Sequence, residues 1–181
     1  RHGGLLYTGT QLAMASPRAE YSQPNYAGRD GLRSFSDTDG SLMSEPFQPE
    51  SLIASLRPMA AAAPLSAAEQ AYRQFYGFAE TPVAHSQLGM RSIGGYQIAL
   101  QAWWPQKPRA TLVLVHGYYD HSGLYRHVIE WALGMGFAVL ACDLPGHGLS
   151  SGARASIGDF AEYQTVLQGV LAEAAELQLP Q

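Results

Sequence analysis

Thr111-Leu112-Val113-Leu114-Val115-His116-Gly117 and, one helical stretch later, Phe137-Ala138-Val139-Leu140-Ala141-Cys142-Asp143 are the two segments that decide the fold. Each is an uninterrupted apolar run that closes on a polar residue. A strand with one wet face alternates; a run that is apolar on both faces belongs in the middle of a sheet, covered on either side. Between the two runs, Tyr125, Val128, Ile129, Ala132 and Leu133 share one helical stripe, and Gly134 and Gly136 stop it. Strand, helix and strand in that order predict the start of an α/β fold with a largely parallel, doubly wound sheet.

Working outward, Ser156 and Asp159 are expected to cap a long helix with the stripe Phe160, Tyr163, Leu167, Val170, Leu171, Ala174 and Leu177, ending near Leu179. On the other side, Gly94-Gly95 reads as the two-residue turn of a hairpin. After it, Tyr96, Ile98, Leu100, Ala102 and Trp104 alternate with Gln97, Ala99, Gln101 and Trp103 until Pro105 and Pro108. Ser66 and Glu69 form a capping box for a short helix, with Ala71, Tyr72, Phe75 and Tyr76 on one face before Gly77. Residues 1–63 show no sustained period and are crowded with turn formers such as Gly28-Arg29-Asp30-Gly31 and Asp37-Thr38-Asp39-Gly40. Such a segment buries too little apolar surface to offset its ordering entropy. The expectation is a disordered or non-native segment over 1–63 and one domain over 64–181. Because the chain opens on Arg1, it reads as a truncated or processed product, with Met43 and Met59 as candidate starts.

Composition excludes several function classes. Only 14% of the 181 residues are charged, the net charge is −4, and no basic run occurs. Nucleic-acid binding needs clustered Lys and Arg. Cys142 is the single cysteine, so there is no internal disulfide and no Cys-rich metal site; it reads as a small buried hydrophobe. No stretch approaches the ~20 apolar residues of a membrane-spanning helix. No metal and no organic cofactor is expected.

In open α/β sheets ligands bind beyond the carboxyl ends of the strands. Two polar loops leave those ends here, one over residues 116–123 and one over residues 143–152. His116, Gly117, Asp143 and His147 are read as residues that organise these loops. Gly148-Leu149-Ser150-Ser151-Gly152 satisfies the G-x-S-x-G pattern. A nucleophile elbow, however, puts its Ser on a tight turn directly between strand and helix. Pro145-Gly146-His147 intervenes, and the next cap lies near Ser156, so Ser150 is read as holding its own loop.

The pair VHGYYDHSGLYRHV (115–128) and DLPGHGLSSG (143–152), separated by one helix and one strand, resembles the monoacylglycerol lipase and lysophospholipase branch (serine aminopeptidase S33-type) of the α/β-hydrolases. The resemblance covers residues 85 to 181. It implies an α/β-hydrolase fold in truncated form: an N-terminal hairpin plus strand–helix–strand–helix of a mostly parallel sheet. It implies a Ser-His-Asp triad acting on a lipid or other carboxylic ester, with nucleophile, acid and His all later in chain order than the residues given. The substrate would be a monoacylglycerol or lysophospholipid, the location cytoplasmic with peripheral membrane contact. Carried over by position, the backbone N–H of Tyr118 is one donor of the oxyanion hole, and Asp120 and His121 match positions that flank the leaving-group end. Leu124 stands where such enzymes commonly carry Arg, which argues against a glycerol-specific contact there. Two other readings remain open: an α/β-hydrolase of different chemistry, such as an epoxide hydrolase or dehalogenase with Asp at the elbow, and a non-catalytic scaffold.

Overall fold

A computed structural model describes residues 48–59, 64–81 and 83–180. Four strands, β1 (His85–Ile93), β2 (Tyr96–Trp104), β3 (Thr111–Val115) and β4 (Ala138–Cys142), form one sheet in the order β1-β2-β4-β3. The helices are α1 (Pro49–Ser55), α2 (Ala67–Phe75), α3 (Arg126–Gly134) and α4 (Phe160–Glu176). Among the described residues no helix is long and apolar enough to cross a membrane.

The sheet is mixed rather than mostly parallel. β3 and β4, joined through α3, are parallel; β1 and β4 both run antiparallel to β2. The cause of the first reversal is local. Gly94 and Gly95 sit at φ 58° and 85°, a left-handed pair that a two-residue hairpin turn requires. The second follows from β2 inserting beside β4, a long-range placement with no local signal.

β2 is covered on both faces. Ile98, Leu100 and Ala102 pack with Val166, Val170 and Ala174 of α4. Ala99 and Trp103 point the other way, into a cluster with Leu52 of α1, Tyr72 of α2, and Ile129 and Ala132 of α3. The result is three layers, with α1, α2 and α3 on one side of the sheet and α4 on the other. The capping box predicted at Ser66 and Glu69 closes α2. Phe75, expected on the buried face of α2, is instead exposed.

α4 differs from expectation in its rotation. Its buried residues are Val166, Val170, Glu173 and Ala174, whereas Phe160 and Leu171 face solvent. Phe160 lies in the first turn and stacks edge-on against Tyr163, at 5.8 Å, rather than on the sheet. Glu173 was hidden from the apolar pattern by its charge. It is buried because Arg91 of β1 reaches it at 2.9 Å and also pairs with Glu176. Burial pushes the Glu173 carboxyl upward in pKa, with the Arg91 guanidinium pulling the other way.

The domain boundary expected at residue 64 is also corrected. Pro49–Ser55 is helical, and Leu52 is fully buried in the core cluster beneath β2. Arg57 and Met59 then pair with the edge strand β1 at Met90, through Met59 N–H to Met90 O at 3.0 Å and Met90 N–H to Arg57 O at 2.8 Å. This covers part of an edge that would otherwise expose unpaired backbone. One leucine in a turn-rich segment leaves no periodic trace, and its partners lie 20 to 80 residues away. Residues 1–47 and 60–63 of that expectation lie outside the described residues.

Leu52→Ala therefore tests the new boundary. Truncating a fully buried leucine costs about 2–5 kcal/mol, so the urea midpoint should fall clearly. A variant with the parent's midpoint would return the boundary to residue 64.

Candidate functional site

β3 and β4 end in register, Val115 beside Cys142, so the loops that leave them start side by side. His116 and Asp143 are the first residues of those loops, and both are buried. His116 joins the two. Its Nε2 accepts the N–H of Leu144 at 2.8 Å, which leaves Nδ1 carrying the proton and donating to Gly117 O at 2.7 Å. Burial lowers its pKa, although the Gly117 carbonyl opposes this. With both ring nitrogens engaged by backbone, His116 is a neutral tie between loops and has no lone pair to offer a substrate.

Asp143 is the other tie. Oδ1 accepts from Ser122 N at 2.8 Å and Ser122 Oγ at 2.6 Å; Oδ2 accepts from Leu149 N at 2.9 Å. Ser122 Oγ also accepts from Gln101 Nε2 at 2.8 Å, and the same amide donates to the Tyr72 hydroxyl at 2.8 Å. Among the described residues no ion pair reaches Asp143, so hydrogen bonds alone hold the buried carboxylate. Desolvation, reinforced by Asp143, raises the Tyr72 hydroxyl well above its usual range and the Cys142 thiol to about 12. Both stay protonated. Gly148 has φ 50°, and a Cβ there would lie 2.1 Å from Asp143 Oδ2.

Both serines of the G-x-S-x-G stretch bond to β2. Ser150 Oγ accepts from Ala99 N at 2.8 Å and donates to Asp143 O at 2.6 Å, and Ser151 Oγ accepts from Gln97 N at 2.8 Å. They sew the loop onto β2.

Around Tyr118 the backbone is strained. Gly117 is not left-handed; the left-handed residue is Tyr119, at φ 62°. Asp120 N–H closes the turn onto Gly117 O at 3.2 Å. The Asp120 carboxylate accepts from the Tyr125 hydroxyl at 2.9 Å, and that hydroxyl accepts from Gly117 N at 3.4 Å. Among the described residues the backbone N–H of Tyr118 donates to no acceptor. Its side chain is exposed and bonds to Ala155 O at 3.1 Å. His121 is half-buried. Its Nδ1 accepts from Gly123 N at 3.2 Å, so Nε2–H faces the Tyr76 hydroxyl at 3.3 Å.

His147 donates from Nδ1 to Pro145 O at 2.9 Å, and its buried Nε2 has no hydrogen-bond partner. Its ring lies 5.2 Å from His116 and 5.9 Å from Tyr118. An open cleft of about 330 Å³ separates the two loops, lined among others by Tyr119, Asp120, His121, His147, Arg154 and Ala155. The structure thus gathers Asp120, His121 and His147 on one cleft with Tyr118 at its rim, and sets His116 and Asp143 behind it. Sequence reasoning missed Arg154, Tyr76 and Gln101. None sits in a motif, and each reaches the site only through chain segments folded against it.

With this geometry in hand, the chain can be compared with known proteins. Residues 106–180 match the family described as serine aminopeptidase, S33. A monoacylglycerol lipase of Mycolicibacterium smegmatis is 38% identical over 79 residues, which cover 43% of this chain and 28% of that protein. These residues are similar to a stretch of the monoacylglycerol-lipase-like α/β-hydrolases. Phospholipase YtpA of Bacillus subtilis is 33% identical over 78 residues, covering 43% of this chain and 30% of that protein. The human monoglyceride lipase is 35% identical over 78 residues, covering 42% of this chain and 26% of that protein. The chain therefore spans between a quarter and a third of the length of these curated relatives.

The His116 geometry carries a pH signature. Its folded pKa is lowered, so the unfolded chain takes up the proton first as pH falls. The stability it contributes is whole above the unfolded imidazole value of about 6.5 and is lost as pH falls below that. Denaturation midpoints measured from neutral to mildly acid pH should fall more steeply in the parent than in His116→Gln. Equal slopes would contradict a neutral, doubly engaged imidazole.

Proposed function

We propose that the complete protein is a serine hydrolase that cleaves a carboxylic ester of a monoacylglycerol or lysophospholipid, of the general class EC 3.1.1.-. In this reading the nucleophilic Ser, its acid and its His come later in chain order, as this fold arranges them. The Ser hydroxyl attacks the ester carbonyl while the His takes its proton. The carbonyl oxygen becomes an oxyanion, and the alcohol leaves with the proton returned by the His. Water then repeats the sequence and frees the acid.

This chain's part is electrostatic. The observation that carries the reading is the Tyr118 amide, which follows the end of β3 and has no acceptor among the described residues. An amide held in that state is ready for an oxyanion, and a donor of this kind is worth about 3–4 kcal/mol in the transition state. The Asp120–Tyr125–Gly117 hydrogen bonds fix the turn from behind. Asp120 and His121 flank the alcohol side of the same opening. His116 does not serve as the base, because both of its nitrogens are committed.

Ser150 is not the nucleophile in this reading, because its hydroxyl is committed to Ala99 and Asp143. A fluorophosphonate probe tests this directly. The complete protein should be labelled, its Ser150→Ala variant should be labelled as well, and the 181-residue chain alone should not be. Labelling of the 181-residue chain that disappears with Ser150→Ala would make Ser150 the nucleophile and overturn the reading.

A further inference from the structure

We propose that Tyr76 is a positioning residue for the oxyanion donor: acting through His121, it holds the turn that presents the Tyr118 amide. This rests on the ester-hydrolase reading above and adds to it a residue from outside the stretch that matches the family, residues 106–180.

The turn hangs between two fixed ends. Before it, Gly117 N–H donates to the Tyr125 hydroxyl. After it, the amide and hydroxyl of Ser122 are held by Asp143. Between them run Tyr118 to His121, with Tyr119 left-handed at φ 62°. A tyrosine in that region is strained, and such strain persists only where the surroundings enforce it. Whatever enforces it must act on this short stretch.

Most hydrogen bonds to the stretch are local. Asp120 N–H donates to Gly117 O, the Asp120 carboxylate accepts from Tyr125, and His121 O accepts from Leu124 N. The Tyr118 hydroxyl reaches Ala155 O on the facing loop. Among the described residues, one hydrogen bond alone ties the stretch to a residue outside 116–125 and 143–155. It joins His121 Nε2 to the Tyr76 hydroxyl, at 3.3 Å.

The imidazole is seated for this task. Nδ1 accepts from Gly123 N at 3.2 Å, so the proton sits on Nε2 and is donated to Tyr76. The two rings meet edge-on, with centroids 5.1 Å apart. Glycines leave the imidazole its room: a Cβ on Gly123 would lie 2.9 Å from His121 Cε1, and one on Gly148 2.9 Å from His121 Cβ. With the side chain confined from both loops, a shift at Tyr76 passes to the His121 backbone rather than being absorbed by rotation of the ring.

Tyr76 is itself anchored. It is the C-cap of α2, half-buried, with its ring against Tyr72 at 4.8 Å. Burial, reinforced by Asp143, raises its pKa, so the hydroxyl stays protonated and neutral. Tyr76→Phe therefore deletes one hydrogen-bond partner, removes no charge and keeps the ring packing. It strands the Nε2–H of His121 and loosens the turn. The Tyr118 amide then meets the oxyanion less well aimed, and misplacement of such a donor lowers the rate steeply.

The test uses the complete protein and a soluble p-nitrophenyl ester. Tyr76→Phe should lower kcat about tenfold with KM unchanged, because the oxyanion contact is made only in the transition state. Hydrogen exchange should quicken at the Asp120 amide, which closes the turn, and stay as it was at the amides of β4. In a His121→Ala background, Tyr76→Phe should change neither kcat nor that exchange further, since the two residues act as one unit. An unchanged kcat, a loss taken in KM, unaltered Asp120 exchange, or effects that add to those of His121→Ala would each overturn the proposal. If the parent does not hydrolyse the ester, the hydrolase reading fails, and the Asp120 exchange still decides whether Tyr76 holds the turn.

Discussion

Asp143 carries a buried carboxylate with no counter-ion among the described residues, and the geometry of both loops depends on it. The amide and hydroxyl of Ser122 converge on one oxygen and the amide of Leu149 on the other. Through Ser122 the network extends to Gln101 in the middle of β2 and on to Tyr72 of α2. Removing the carboxylate would strand several buried donors at once, each at its full desolvation cost. Gly148 is required for the same reason, since any side chain there collides with that carboxylate. The loops that form the cleft are thus fastened from below, leaving their upper surfaces available to a substrate.

The imidazoles are distinguished by what their nitrogens already hold. His116 has both committed to backbone. His121 is set by Gly123 as the Nε2–H tautomer and turned toward Tyr76, the C-cap of α2. Of these three imidazoles, His147 alone has a ring nitrogen without a hydrogen-bond partner among the described residues, and that nitrogen is buried. α2 lies outside the stretch that matches the hydrolase family, yet its Tyr72 and the Tyr76 that caps it brace the loop that carries Tyr118. The N-terminal part of this chain is therefore built into the support of its candidate site.

The sheet is assembled around β2, whose residues from Ile98 to Trp103 are all buried. Apolar side chains on alternate faces commit it to two separate clusters, and Gln101 is tolerated because Tyr72 and Ser122 satisfy its amide. The serines of the Gly-rich loop complete this strand's backbone pairing beyond the end of β4: Ser151 donates its N–H to Gln97 O and accepts Gln97 N–H, and Ser150 accepts Ala99 N–H. A motif that reads as a nucleophile elbow is, in three dimensions, an edge clamp.

What the sequence by itself determined is what neighbouring residues settle among themselves. The two-faced runs of β3 and β4, the Gly94-Gly95 turn, the Ser66 box of α2 and the two loops at the carboxyl ends all follow from local period, φ preference or capping. Tertiary structure alone decided the rest. It buried Leu52 in a segment without pattern, turned α4 so that Glu173 faces inward against Arg91, and put Tyr119 in the left-handed region. It also joined Tyr118 to Ala155, 37 residues on, Tyr76 to His121, 45 residues on, and Ala99 to Ser150, 51 residues on. Side chains so far apart in the chain meet only after the sheet has formed. No window of sequence holds both halves of such a contact, so the partners of Ser150 became readable only once the loop was placed against β2.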